Sequence, residues 1–276
     1  MLRAVKMVQF QNSLRVCQIS LQDKPLTYRQ AGNPGDRVPV LFLHGWGISG
    51  EPYYEILQLL AQDYPVLAPD LPGFAGSGEF GLIQTYSDYA ELLLAWLQKL
   101  GIEQVHLVGH SLGGGIAITL AALAPSLVQS LVLVDSTGVP NGSVSEVLMR
   151  RAIEMPLQIS LSKFYLQMVE IPRVFGPNLL FNLPNLLQAL VLSLETDLRA
   201  YLAQIQAPCL LLWSRKDLTT PLTSGLTCHQ QIAQSRLVTL EEGYHEWALL
   251  YPEKLVGLIL DFIRQVEPIS APRVLV

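Results

Sequence analysis

The sequence predicts an α/β fold in which a mostly parallel sheet is covered by helices on both faces, and two observations carry that prediction. Five short apolar runs, 38–43, 66–68, 105–108, 131–134 and 210–213, are each followed by turn residues and then a helix-length segment. Runs that are apolar throughout belong to strands buried on both faces, and the helices between them supply the crossovers that parallel strands need. The second observation is an interruption. From about Val139 to Ala207 the alternation stops, and helical apolar patterns such as 147–153 and 164–169 are punctuated by Pro140, Pro156, Pro172, Pro177 and Pro184. This predicts a helical insertion (139–207) lying over the strand ends of a core made from 1–138 and 208–276.

Taken in order, residues 14–20 and 26–30 alternate as two strands joined by the polar turn Gln22-Asp23-Lys24-Pro25, an antiparallel edge to the sheet. The helices are expected at 53–62, 86–100, 112–123, near 223–232, and 252–266. Ser87-Asp88 enters the second of these, Gly101 ends it, and Pro125 follows the third. A last strand is expected at 237–240. The chain carries no internal repeat and no low-complexity tract.

Composition removes several classes of function. The 276 residues include 18 basic and 23 acidic side chains, a net charge of −5 with no basic cluster, so a nucleic acid backbone finds no electrostatic footprint. Half of the chain is hydrophobic and the mean hydropathy is +0.33, which points to a large core and an apolar cavity or surface. Residues 174–194 carry no charge, yet Pro177 and Pro184 break them, and Asn178, Asn182 and Asn185 are costly in hydrocarbon. No spanning helix or stable membrane insertion is expected. The N-terminus carries Arg3 and Lys6 without the apolar run and cleavage site of a secretory signal. Cys17, Cys209 and Cys228 are odd in number and lack metal-ligand spacing. A cytoplasmic protein without disulfides is the expectation.

The chemistry centres on Gly109-His110-Ser111-Leu112-Gly113, which lies between an apolar strand-like run and a small-residue helix-like run. A serine at the tip of such a strand-to-helix turn sits in a strained backbone conformation, and its neighbours must lack bulk. Ser111 is therefore the expected nucleophile, with Gly109 and Gly113 providing room. A hydroxyl needs a base to take its proton and an acid to orient that base. Of the five histidines, His106 lies within a strand, His110 is the variable residue of the elbow, His229 is expected at the surface, and His44 is read as a loop organiser. His245, in the loop after the strand at 237–240, occupies a strand carboxyl end, where α/β sheets place working residues. Asp217 follows the strand at 210–213 and is the expected acid. Asp135, closing 131–134, competes for the role. Backbone N–H groups of Trp46, in a glycine-rich loop after the first central strand, and of Leu112, at a helix start, are the expected oxyanion donors. Asp70 is read as a turn residue that holds its loop.

Taken together, His44-Gly45-Trp46-Gly47, Asp70-Leu71-Pro72-Gly73-Phe74, Gly109-His110-Ser111-Leu112-Gly113-Gly114, Trp213-Ser214-Arg215-Lys216-Asp217 and Gly243-Tyr244-His245 resemble the α/β-hydrolase superfamily in both content and order. The resemblance spans 38–265. It implies an eight-stranded sheet with a helical cap inserted after the sixth strand, and a triad of Ser111, Asp217 and His245. The stretch 70–78 is one residue longer before its serine than in many relatives, which bears on the shape of that loop. Members that dehalogenate or open epoxides use an aspartate nucleophile, and residue 111 is a serine.

The expected activity is hydrolysis of a carboxylic ester or related acyl compound through an acyl-enzyme, with neither metal nor organic cofactor. Phe164, Tyr165, Phe175 and Phe181 suggest an apolar entrance and a small, partly apolar substrate. Two alternatives stand beside it: carbon–carbon bond hydrolysis of a diketone-like acid by the same triad, and a ligand-binding protein without turnover. A charged substrate calls for a buried cation in the cap. Arg150, Arg151 and Arg173 are the cap arginines whose direction decides this.

Overall fold

The computed structural model describes residues 13–32, 37–78, 80–81, 83–161 and 169–267, with side chains 159–161 excepted. Phe164, Tyr165, the helical pattern at 164–168, Arg3 and Lys6 lie outside the described residues. Eight strands form one sheet: β1 (Arg15–Leu21), β2 (Lys24–Ala31), β3 (Val40–Leu43), β4 (Val66–Pro69), β5 (Val105–His110), β6 (Val128–Val134), β7 (Cys209–Ser214) and β8 (Ser235–Leu240), in the order β1-β2-β4-β3-β5-β6-β7-β8. β1 and β2 are antiparallel, β2 is antiparallel to β4, and all other pairings are parallel.

Each parallel strand divides its side chains between two cores. Leu41, Leu43, Leu107, Leu131, Leu133, Leu211 and Trp213 face one; Val40, Phe42, Val108, Val132, Val134, Leu210 and Leu212 face the other. This period-two division explains why the strands read as continuous apolar runs. The first core is closed by α2 (Tyr86–Leu100), α3 (Leu112–Leu123) and α8 (Leu222–Gln231), and the second by α1 (Tyr54–Leu60), α9 (Trp247–Leu250) and α10 (Pro252–Val266). Between β6 and β7 the chain builds α4 (Val144–Leu161), α5 (Ile171–Phe181), α6 (Leu183–Glu195) and the short α7 (Arg199–Leu202).

Several boundaries differ from expectation for local reasons. Only Gln22 and Asp23 form the β1–β2 turn, both at positive φ (51° and 61°), so Lys24 and Pro25 join the ladder. Paired left-handed residues match the twist of the strands they connect. β3 begins after Pro39, which has no N–H for a ladder. The cap of α2 is Thr85 rather than Ser87: its hydroxyl accepts the Asp88 N–H while the Asp88 carboxylate accepts the Thr85 N–H. Gly101 closes that helix at φ 72°.

Candidate active site

β5 runs directly into α3, and the residue at the junction is Ser111, at φ 53° and ψ −119°. This region of conformational space is costly for any residue with a side chain. Close packing imposes it. A Cβ at Gly109 would lie 2.4 Å from the Gly113 carbonyl oxygen, one at Gly113 would lie 2.3 Å from that of Leu43, and one at Gly114 would meet the Ser136 hydroxyl at 2.2 Å. Hydrogen bonds then pin the turn: the Ser111 N–H donates to Val134 O (3.0 Å), and the Ser111 carbonyl accepts from the Thr137 N–H and hydroxyl (both 3.1 Å). The Tyr86 hydroxyl lies 2.7 Å from that of Thr137. Thr137 and Tyr86 escaped the sequence reading because nothing local marks them; they are brought in by β6 and α2.

The structure brings Ser111, His245 and Asp217 together from three separate loops. His245 Nε2 is 2.9 Å from Ser111 Oγ, and His245 Nδ1 is 2.8 Å from Asp217 Oδ2. All three side chains are nearly sealed from solvent. Asp217 Oδ1 accepts the N–H groups of Thr219 and Thr220 (2.7 Å each), and Oδ2 accepts the Thr220 hydroxyl (2.7 Å). Burial pushes this carboxyl upward, but the imidazole of His245 and the Thr220 donors outweigh it and leave the group below its ordinary range. With a carboxylate facing Nδ1, that nitrogen carries the proton, and Nε2 is left to accept from the serine hydroxyl.

Asp135 occupies a different place. It is fully buried at φ 40°, with Oδ1 accepting the Ser214 N–H (2.9 Å) and Oδ2 the indole N–H of Trp247. Burial first, and the charge of Asp217 second, raise its carboxyl well above the ordinary range. Both of its oxygens are taken by N–H donors of the core, whereas the imidazole pairs with Asp217.

Two other histidines, His44 and His110, are buried with both ring nitrogens engaged. His44 Nδ1 lies 2.8 Å from Gly45 O, and its Nε2 accepts the Leu71 N–H at 2.8 Å; burial lowers its pKa to about 4. His110 links two loops: its Nδ1 receives the Tyr53 hydroxyl (2.6 Å), and its Nε2 lies 3.1 Å from the His245 carbonyl. Burial, followed by the neighbouring His245, lowers the His110 pKa to about 3. The Gly45 N–H in turn donates to Tyr53 Oη (3.2 Å), so one chain of bonds runs from the Trp46 loop through His110 to the His245 loop. His106 lies in β5 and His229 is exposed on α8. Asp70 is paired with Arg29 at 2.5 Å and accepts the Gly50 N–H, which ties β2 to two loops.

The Trp46 loop lies alongside the elbow: a Cβ at Gly45 would sit 3.4 Å from Ser111 Cβ. Leu112 is the first residue of α3, where N–H groups have no partner within the helix and the helix dipole is positive. The helices after β6 cover this loop, with Trp46 Nε1 donating to Leu186 O (2.7 Å) and its ring stacked edge-on against Phe175 at 5.5 Å.

A cavity of about 420 Å³ opens onto Ser111 and His245, with a mainly apolar lining that includes Trp46, Met155, Phe175, Leu190, Leu194 and Leu249. Arg151 is the arginine that reaches it, and its charge is met by Glu154 (3.0 Å) and by Glu246. Arg150 bonds to Asn141, and Arg173 pairs at the surface with Glu51. Phe175 lines the cavity; Phe181 does not, being 81% exposed at the far end of α5. Among the described residues no helix is long and apolar enough to cross a membrane.

This architecture is that of the α/β hydrolases. A family model described as alpha/beta hydrolase fold matches residues 38–157. A putative carbamate hydrolase RutD from Pseudomonas savastanoi pv. phaseolicola is 30% identical over 243 residues, covering 82% of this chain and 93% of that protein. A pimeloyl-[acyl-carrier protein] methyl ester esterase from Neisseria meningitidis serogroup C is 30% identical over 245 residues, covering 82% and 94%. Among solved structures, a hydrolase from Pseudomonas aeruginosa PA01 superimposes with a TM-score of 0.75 at 25% identity, over 90% of this chain and 98% of that one. The chain belongs to the α/β-hydrolase family.

Proposed function

We propose that this protein is a serine hydrolase that cleaves carboxylic esters, or closely related acyl compounds, whose acyl portion is uncharged and apolar. The carrying observation is the Ser111–His245–Asp217 chain of contacts at the floor of an apolar cavity whose cation, Arg151, is neutralised by two glutamates. His245 Nε2 takes the hydroxyl proton as Ser111 Oγ bonds to the carbonyl carbon, and the Trp46 and Leu112 N–H groups receive the oxyanion. Collapse of that intermediate expels the alcohol, protonated by His245. Water then attacks the acyl-enzyme by the same route and releases the acid. Asp217 holds the imidazole and stabilises its charged form without taking the proton. Residues 139–207 act as the cap that shapes the acyl pocket over a core of 1–138 and 208–276.

The names of relatives agree with this reading, since one is a methyl ester esterase and another a putative carbamate hydrolase. Cleavage of carbon–carbon bonds in a diketone-like acid is less well served, because a substrate carboxylate entering this cavity meets no uncompensated positive charge. The test is labelling with a fluorophosphonate together with turnover of p-nitrophenyl esters from acetyl to lauroyl. The native protein is expected to label and to favour medium or long acyl chains, while Ser111→Ala does not label and its kcat is lower by about 10⁴ to 10⁶. Labelling that persists in Ser111→Ala overturns the assignment.

A further inference from the structure

Glu154 lies on α4, outside every motif considered above, and is fully buried. Its Oε1 accepts the backbone N–H of His245 (3.1 Å) and that of Leu218 (3.0 Å), the residue after Asp217. Its Oε2 accepts the Thr219 hydroxyl (2.6 Å) and Nη1 of Arg151 (3.0 Å). One carboxylate thus binds the peptide of the proposed base and the peptide next to the proposed acid. Its neighbours on the helix do the same work on the same loops. Arg151, one turn earlier, pairs with the Glu246 carboxylate, and Gln158, one turn later, accepts the Glu246 N–H at 3.2 Å. Positions 151, 154 and 158 share a helix face.

From this we infer that Glu154 is a positioning residue that makes the geometry of His245 and Asp217 depend on the seating of α4. The loops after β7 and β8 do not exchange these N–H groups with one another. If α4 moved away, the buried His245 N–H and the partly buried Leu218 N–H would both lose their acceptor, a state costly enough to drive the loops to rearrange. The same helix face supplies Arg151 and Met155 to the cavity wall. A substrate acyl group packed against that wall presses α4 onto the loops, so occupancy of the pocket and alignment of the base are coupled through one carboxylate.

This inference rests on the serine-hydrolase reading, and its test separates the two. Three variants, Glu154→Leu, Glu154→Gln and Glu154→Asp, are compared with the native protein for melting temperature, fluorophosphonate labelling rate, and kcat and KM on p-nitrophenyl butyrate. Leucine removes both acceptors: kcat and labelling rate are expected to fall at least 30-fold, with KM within about threefold. Glutamine keeps one oxygen for the two N–H groups and is expected to restore kcat to within about fivefold of native. A folded Glu154→Leu protein with kcat within twofold of native overturns the inference, as does a Glu154→Gln protein as impaired as the leucine variant. Should Glu154→Leu not fold, Glu154→Asp decides, since its carboxylate is one methylene short. A tenfold loss of kcat at an unchanged melting temperature supports the inference, and native kcat overturns it. A native protein that does not label at all defeats the hydrolase reading instead.

Discussion

The sheet and the helical insertion differ in how much polar and apolar surface each buries. In the sheet, apolar side chains of the parallel strands fill two cores, and Ser111, Asp217 and His245 follow the carboxyl ends of β5, β7 and β8. In α5 and α6, Asn178 is buried while Leu180 and Phe181 stand 76% and 81% exposed. Asn178 bonds to the Gly47 carbonyl (3.0 Å) and the Ala75 N–H (2.7 Å), so the insertion docks on the core loops partly through amides. Leu186, Ala189 and Leu192 join the core beneath, and other apolar side chains of the insertion line the cavity or face outward. The lesson is a division of labour. Under the proposed function, core packing fixes the Ser111 turn, while the insertion shapes the cavity above it and, through Glu154, braces the loops of His245 and Asp217.

That contrast fails if changes to the proposed triad leave chemistry intact, or if changes to the cavity wall of the insertion abolish it. The sharpest case is a pair of aspartates in the core. Asp217→Asn is expected to lower kcat about 10³ to 10⁴-fold by disturbing the imidazole tautomer, and Asp135→Asn less than tenfold. A larger loss in Asp135→Asn reverses their roles. The pair also carries a pH signature. A carboxyl raised on folding contributes stability below its unfolded pKa and loses it as pH rises through the folded value. Urea unfolding of Asp135→Asn against native should therefore show the variant gaining relative stability from pH 4 to pH 8.

Next in size is Gly109→Ala, whose Cβ would meet the Gly113 carbonyl at 2.4 Å. Denaturant titration is expected to show a loss of about 2 to 3 kcal/mol. In the insertion, Leu190→Trp narrows the cavity. The ratio of kcat/KM for lauroyl over acetyl esters should drop about tenfold, with fluorophosphonate labelling retained. The smallest effect belongs to Phe181→Ser, which should leave stability within about 0.5 kcal/mol because the ring is already in solvent. A loss of several kcal/mol there shows that the outer face of α5 is structural.

Much of the architecture is legible without coordinates because it is encoded locally. Continuous apolar runs mark strands buried on both faces, and glycines around Ser111 mark a turn no side chain fits. His245 and Asp217 are readable because each ends a strand run and adjoins a loop. Distances between elements are not encoded that way. That the imidazole turns to Asp217 rather than Asp135 depends on how β6, β7 and β8 align, with Thr219 and Thr220 drawing the Asp217 carboxylate into place. Tyr53, Tyr86, Thr137 and Glu154 act across separations of 26 to 91 residues, at positions whose local pattern is that of ordinary helix or loop. Short-range sterics and periodic burial speak through neighbouring residues; hydrogen bonds between distant segments exist only once the chain has closed on itself.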